Sequence, residues 1–172
     1  MQTLILHPDC AAGPVTTISA AIEPTDAGCR VSFHVTGEMD KIVIPAEAAP
    51  ERMDNLWKTT CFEVFWEGEG PDYREFNLSP SSKWASYDFD DFRINSRDAP
   101  AAVTIAFRHD GQAMTLAAEI SSTLPLPAKV ALNAIVEDAD GNIQFWALAF
   151  QPGKAEFHSD VCRALHLSEN SK

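Results

Sequence analysis

The stretch AVTIAFRHDGQAMTLAAEIS, residues 102–121, alternates apolar and polar side chains on both sides of Asp110-Gly111. Val103, Ile105 and Phe107 alternate with Thr104, Ala106 and Arg108, and Met114, Leu116, Ala118 and Ile120 alternate with Thr115, Ala117, Glu119 and Ser121. Successive side chains of an extended strand point to opposite faces, so each run has one face for a core and one for water. Asp-Gly between two such runs is a strong hairpin signal, because the tight turn needs positive φ. These residues predict an antiparallel hairpin.

The same alternation recurs outward. Val31, Phe33 and Val35 alternate with Ser32, His34 and Thr36, and Asp26-Ala27-Gly28 and Asp140-Gly141-Asn142 supply further turns. Strands are expected near 3–6, 15–23, 29–37, 41–45, 60–67, 73–79, 84–92, 102–109, 113–121, 129–138 and 144–150. No long stretch keeps a helical period. Residues 48–56 (AAPERMDNL) are expected to form one or two helical turns, and Ser159 to Leu167 a short helix. Prolines sit mostly at the edges of runs, where they remove no interior ladder bond. Many short strands without helical crossovers predict an all-β antiparallel sandwich, and no linker divides the chain, so residues 1–172 read as one domain.

Composition sets the outer limits. In 172 residues, 45% are apolar and 22% charged, which is ordinary for a globular protein and excludes disorder. With 13 Lys and Arg against 25 Asp and Glu, the formal charge is -12. Such a surface repels a phosphate backbone or an anionic leaflet, so neither nucleic acid nor a membrane is an expected partner. The longest apolar run, Phe145 to Phe150, is far below the ~20 residues of a spanning helix. Met1 to Pro14 lacks the basic residues and long apolar stretch of a signal peptide, so the expectation is a cytoplasmic protein. Cys10, Cys29, Cys61 and Cys162 are widely spaced without a C-x-x-C pair, as expected of free thiols, the alternative being two disulfides in an exported chain.

Chemistry concentrates between Trp57 and Arg93. In WKTTCFEVFWE, Cys61, Glu63, Phe65 and Glu67 share one strand face; in YREFNLS, Tyr73, Glu75, Asn77 and Ser79 share another. A hairpin across residues 68–72 would merge the Glu63 face with the Glu75/Asn77 face if the register allows, with Trp57, Trp84 and Tyr87 nearby. That mixture suits a sugar: C–H faces pack on aromatic rings, and vicinal hydroxyls take planar two-point partners. The expected contacts are Trp57, Trp84, Tyr87 and Trp146 for stacking, and Glu63, Glu75, Asn77 and Arg93 for hydrogen bonding. The alternative is that the tryptophans are packing and the polar row is a solvated face.

The run from Arg52 to Arg93, together with FWALAF and Phe157-His158, resembles the DOMON-like group related to the family 9 carbohydrate-binding modules. Trp57, Thr60, Cys61, Phe62, Glu63, Tyr73, Glu75, Asn77, Ser79, Pro80, Trp84, Tyr87, Phe89 and Arg93 carry the likeness. About 40 contiguous residues are covered clearly. The resemblance implies an immunoglobulin-like or jelly-roll β-sandwich and a non-catalytic domain that binds a sugar or small polyol. Sugar-binding relatives clamp a terminal sugar between two tryptophans, for which Trp57, Trp84 and Trp146 are the candidates here.

Other chemistries compete. The superfamily also includes haem binders, whose axial ligands would have to come from Met39, Met53, Met114, His34, His158 and Lys58; no cofactor is expected. Glu63 and Glu75 as a carboxyl pair would suit a weak glycosidase. The aromatic sheet face could instead dock a protein partner. His158, Cys162 and His166 drift too far around a helix to share a zinc ion, and Asp88, Asp90 and Asp91 lack an EF-hand spacing, so no metal site is expected. Nucleotide-loop, serine-hydrolase and zinc-protease motifs do not occur. Arg93 is expected either to face ligand or to pair with Glu63 or Glu75, and His158 either to cap a loop or to line the cleft.

Overall fold

The computed structural model describes residues 1–169. Among the described residues twelve strands follow one another: β1 (Gln2–Leu6), β2 (Val15–Thr25), β3 (Gly28–Gly37), β4 (Cys61–Glu67), β5 (Tyr73–Leu78), β6 (Trp84–Phe89), β7 (Arg97–Asp98), β8 (Ala102–His109), β9 (Ala113–Ser121), β10 (Ala128–Glu137), β11 (Ile143–Ala147) and β12 (Leu165–Leu167). All named strand pairs are antiparallel. The predicted hairpin is β8–β9, with Val103 opposite Ile120 and Phe107 opposite Leu116. Asp110 closes its turn by accepting from the N–H groups of Gln112 and Ala113 at 2.8 and 2.9 Å.

The hydrogen-bonded path is continuous, in the order β7-β6-β5-β4-β10-β11-β1-β2-β3-β9-β8, with β12 added to β10. Strand β1 is the joint. Gln2 to Leu4 pair with β2, and Ile5 and Leu6 pair with β11. The sheet curls into a half-barrel about this joint and brings its wings face to face: the rings of Phe33 (β3) and Phe62 (β4), strands far apart in the order, lie 4.8 Å apart. Between the wings Ile18, Val31, Phe33, Val35, Met114 and Leu116 meet Phe62, Val64, Trp66, Phe76, Leu78 and Leu132 in one core. Burying a side chain of this size contributes roughly 1.5–3 kcal/mol, and this core fixes which way β4 and β5 face.

Gly28 shows how closely the strands pack at a turn. Its φ is +153°, and a Cβ there would collide with the carbonyl oxygen of Ile120 on β9. Only glycine fits both the dihedral and the space.

Several local expectations change. Residues 41–45 form no strand; a 3-10 turn at Met39–Lys41 leads to a single bridge between Ile42 and Asp138. The helical turn expected within 48–56 forms later, as a 3-10 turn at Leu56–Lys58 that follows Asn55 in the left-handed region (φ 65°). The C-terminal helix is replaced by one 3-10 turn, Asp160–Cys162, and then by β12, because Leu165 and Leu167 gain ladder partners on β10. Strand β7 was not anticipated. Its two residues, both exposed, pair with Tyr87 and Asp88.

Candidate functional site

Strand β4 is buried along its whole length, so both of its faces must be covered. Phe62, Val64 and Trp66 enter the main core, which turns Cys61, Glu63, Phe65 and Glu67 to the other side. The register then fixes a row: Asn133 on β10 stands opposite Glu63, Glu63 opposite Asn77 on β5, and Asn77 opposite Ala85 on β6. The next row holds Ala131, Phe65, Glu75 and Tyr87. Amide, carboxyl and amide therefore run side by side across three central strands, with a second carboxyl one step along. Asn77 and Asn133 are fully buried; neither amide makes a hydrogen bond of good geometry, although Asn77 lies near enough to Glu75, and Asn133 to Glu63, to favour the ionised carboxyl.

Over this row lies a cleft of about 790 Å³, lined by Asp54, Trp57, Glu63, Glu75, Tyr87, Phe89, Arg93, Phe145, Glu156, Phe157 and His158 among others. The residues after β11 form its far wall, held by local chemistry. Arg163 donates through Nη1 to the His158 carbonyl at 3.1 Å, pairs with Glu67 at 2.6 Å and lies over the Tyr73 ring. Arg93 binds Glu156 through Nε and Nη2 at 3.1 and 2.8 Å, and Glu156 also accepts the His158 backbone N–H at 3.0 Å. Tyr87 donates its hydroxyl proton to Asp54 at 2.6 Å, tying the near wall to β6.

His158 is clamped at the inner end. Phe65 and Phe89 meet its ring edge-on with centroids 5.0 and 4.9 Å away. The Tyr73 hydroxyl accepts the Arg93 N–H at 3.1 Å and sits 2.7 Å from His158 Nδ1. With Tyr73 donating to Nδ1, the neutral imidazole carries its proton on Nε2, which lies 3.6 Å from Glu75 Oε2. Burial, reinforced by the Arg93 charge, lowers His158 to about 4, so it is neutral at pH 7.

The carboxyls shift the other way. Burial pushes Glu63 well above the usual carboxylate range, and Glu75 adds to the effect. Glu75 itself rises to about 7, chiefly through burial, with Asn77 and Arg93 working against the rise. A carboxyl that cannot be solvated keeps its proton. Near neutral pH the floor thus offers Glu63, driven toward its protonated form, a Glu75 that titrates at about 7 and an imidazole N–H, with the two amides buried beside them. These are donors and acceptors of both kinds, closely spaced.

No protein-family model matches the chain, and no curated protein does. Among solved structures, one from Bacteroides uniformis, described as a "putative carbohydrate-binding protein", superposes with a TM-score of 0.65 at 13% sequence identity. The alignment covers 94% of this chain and 82% of that one. At that identity the likeness establishes a shared fold.

Of the nine residues singled out from the sequence, Trp57, Glu63, Glu75, Tyr87, Arg93 and His158 line the cleft, and Asn77 stands fully buried beside Glu63 in the ladder. Trp84 and Trp146 do not belong with them. Trp84 pairs with Leu78, and Trp146 with Ala134, which puts both on the core side of the sheet. Two tryptophans therefore do not clamp this cleft. Arg93 pairs with Glu156 instead of Glu63 or Glu75, because the left-handed turn at Arg93 (φ 53°) carries it to the rim.

Asn133, Glu156, Asp54 and Phe145 were not anticipated. For Asn133 the signal was present: one amide inside the otherwise apolar VALNAIV of β10. Among the described residues, no group of three or more His, Cys, Asp or Glu is placed to hold a metal ion. Asp88 is engaged by Arg74 at 2.7 and 2.9 Å, and Asp90 by Asn95 and Arg97. Met39 and Met114 are core residues, remote in role from His158. No helix among the described residues is long and apolar enough to cross a membrane.

Proposed function

We propose that the chain is one DOMON-like domain of the carbohydrate-binding type, which holds a sugar or small polyol in this cleft without transforming it. The observation that carries the proposal is the Asn133–Glu63–Asn77 row. Folding leaves two amides buried without a well-formed hydrogen bond beside a carboxyl that burial drives toward its protonated form, at a cost of about 1–3 kcal/mol for each unsatisfied group. A ligand bearing adjacent hydroxyls would satisfy them, since each hydroxyl both donates and accepts. Trp57, which is 49% exposed at the mouth, Tyr87, Phe89 and Phe157 supply ring faces for the C–H surface. The shared fold of a protein described as carbohydrate-binding adds support. Cytoplasmic residence, with four reduced thiols, is part of the same proposal.

Calorimetry and thermal shift against a panel of neutral mono- and disaccharides test it. Binding by the wild-type protein that is lost in Trp57→Ala and Asn77→Leu is expected. A panel in which no sugar moves the melting temperature overturns it.

The two carboxyls also favour a second reading, glycoside hydrolysis with Glu63 as acid and Glu75 as its partner, because both line the cleft from adjacent strands and burial favours the protonated form that a general acid needs. Release of reducing ends by wild type, abolished in Glu63→Gln, would put hydrolysis in place of binding.

A further inference from the structure

Every arginine near the cleft is committed to a carboxylate other than the two on its floor. Arg93 is held by Glu156, Arg163 by Glu67, and Arg52 by Asp54 at 3.1 Å and by Asp98. Lys154 is exposed at the rim. Among the described residues, the only basic group within 4 Å of the pair is the His158 ring, 3.6 Å from Glu75, and burial keeps that ring neutral. Glu63 and Glu75 are 3% and 5% exposed, so the fold buries two acids and, among the described residues, gives neither a direct ion pair with a charged partner, Arg93 acting on both only from a distance. Around them stand Cys61 on β4, Tyr73 on β5, Tyr87 on β6, and Asp54, Arg93, Glu156 and His158 from the loops, with Arg163 behind Tyr73.

We infer that the inner end of the cleft receives an ammonium group, and that the ligands it prefers are amino sugars or amino polyols over their neutral and acidic counterparts. This rests on the sugar-binding proposal for the same cleft. An ammonium carries three donors and no acceptor. The Glu63 and Glu75 carboxyls and the amide oxygens of Asn77 and Asn133, which make no well-formed hydrogen bond, offer more than three acceptors on adjacent strands. Pairing a buried carboxylate with a buried cation relieves the penalty that each bears alone. A carboxylate or phosphate on the ligand would meet the opposite situation, and the chain's charge of -12 would oppose its approach.

The proton balance follows. At pH 7 Glu75 is partly protonated; on binding R–NH3⁺ its proton leaves to solvent and the carboxylate stays paired with the ammonium. Affinity for an amine therefore rises through about pH 7 and levels off above it until the ligand loses its own proton.

Glucosamine, N-acetylglucosamine, glucose and 2-aminoethanol distinguish the outcomes by calorimetry between pH 5.5 and 7, where both amines are ammonium ions, in buffers of different ionisation enthalpy. Glucosamine is expected to bind at least about tenfold tighter than glucose or N-acetylglucosamine, as for a gained charge-assisted bond, and to release a proton. Glu75→Gln is expected to erase that advantage and the proton release, with the melting temperature at or above wild type. Equal affinity for glucose and glucosamine overturns the ammonium site and leaves the sugar proposal standing. Binding of 2-aminoethanol without any sugar keeps the ammonium site and overturns the sugar proposal. Binding of none overturns both.

Discussion

Glu63 and Asn77 face each other across the β4–β5 ladder, on the side of the sheet turned away from the main core. Their neighbours one residue along, Val64 and Phe76, also pair, and both are in that core. A slip of one residue would send the carboxyl into the core and the rings into the cleft. The register is thus held by the same apolar burial that stabilises the wing, so the polar row is as rigid as the sheet itself.

Asn77→Leu and Asn133→Leu are expected to separate stability from binding. Each removes a buried amide that makes no well-formed hydrogen bond and inserts an apolar group of similar size, so chemical denaturation should show a change within about 1 kcal/mol, or a gain. Sugar binding should vanish. A loss of several kcal/mol would mean that the amides hold the fold and are not a preformed site.

The pH dependence of stability carries a definite sign. Glu75 binds its proton up to about 7 in the folded chain and up to about 4.5 when unfolded, so its contribution to stability falls as pH rises between those values, by roughly 3 kcal/mol at most. Glu63 acts in the same direction. His158 opposes them: its folded value near 4 lies below 6.5, so its contribution rises with pH across that interval. Thermal melts should show wild type losing stability between pH 5 and 7. Glu75→Gln should flatten the slope, and the Glu63→Gln/Glu75→Gln double variant should reverse it. A wild-type melting temperature that climbs steadily from pH 5 to 7 would contradict the assignment.

Trp57→Ala should act on the ligand alone. The side chain is half-exposed on a 3-10 turn, with Lys58 above its ring, so its loss should change stability by less than about 0.5 kcal/mol. Sugar affinity should drop about tenfold, the scale of one lost stacking contact plus its buried area. Retained affinity would place the ligand deeper, against Tyr87 and Phe157.

Arg163→Met should loosen the far wall. Glu67, with a side chain 9% exposed, would keep only Lys129 at 3.1 Å. Removing one member of a buried pair costs about 3 kcal/mol, and the His158 carbonyl would lose its donor. Equilibrium unfolding measures the first effect. Faster solvent exchange of the His158 backbone amide, which donates to Glu156, reports the loosened wall that follows from the second. A change below about 1 kcal/mol would show that the apolar contacts of Phe157 suffice to hold the wall.

Much of this was legible before the fold was seen, for physical reasons. Period-2 runs such as Val103 to Ile120 exist because one side of a sheet is covered and the other is wet, and that pattern survives in any register. Glu63, Glu75 and Asn77 could be put on one face for the same reason, once β4 and β5 were taken to pair. Trp84 and Trp146 could not be placed, because an indole suits a core and a ligand equally well; only the pairing of Trp84 with Leu78 and of Trp146 with Ala134 decides. Arg93 and Glu156 come from segments 63 residues apart, a contact that no local pattern encodes. The C-terminal strand was hidden too, since Leu165 and Leu167 become strand residues only by finding Val130 and Ala128.

The side-chain amides of Asn77 and Asn133 report most directly on the cleft. In a ¹⁵N-labelled sample titrated with the best-binding sugar of the neutral panel, both NH2 pairs should shift and exchange more slowly with solvent, in step with the binding isotherm. Side-chain amides that stay fixed while the sugar saturates, with shifts confined to residues outside the cleft, would contradict it.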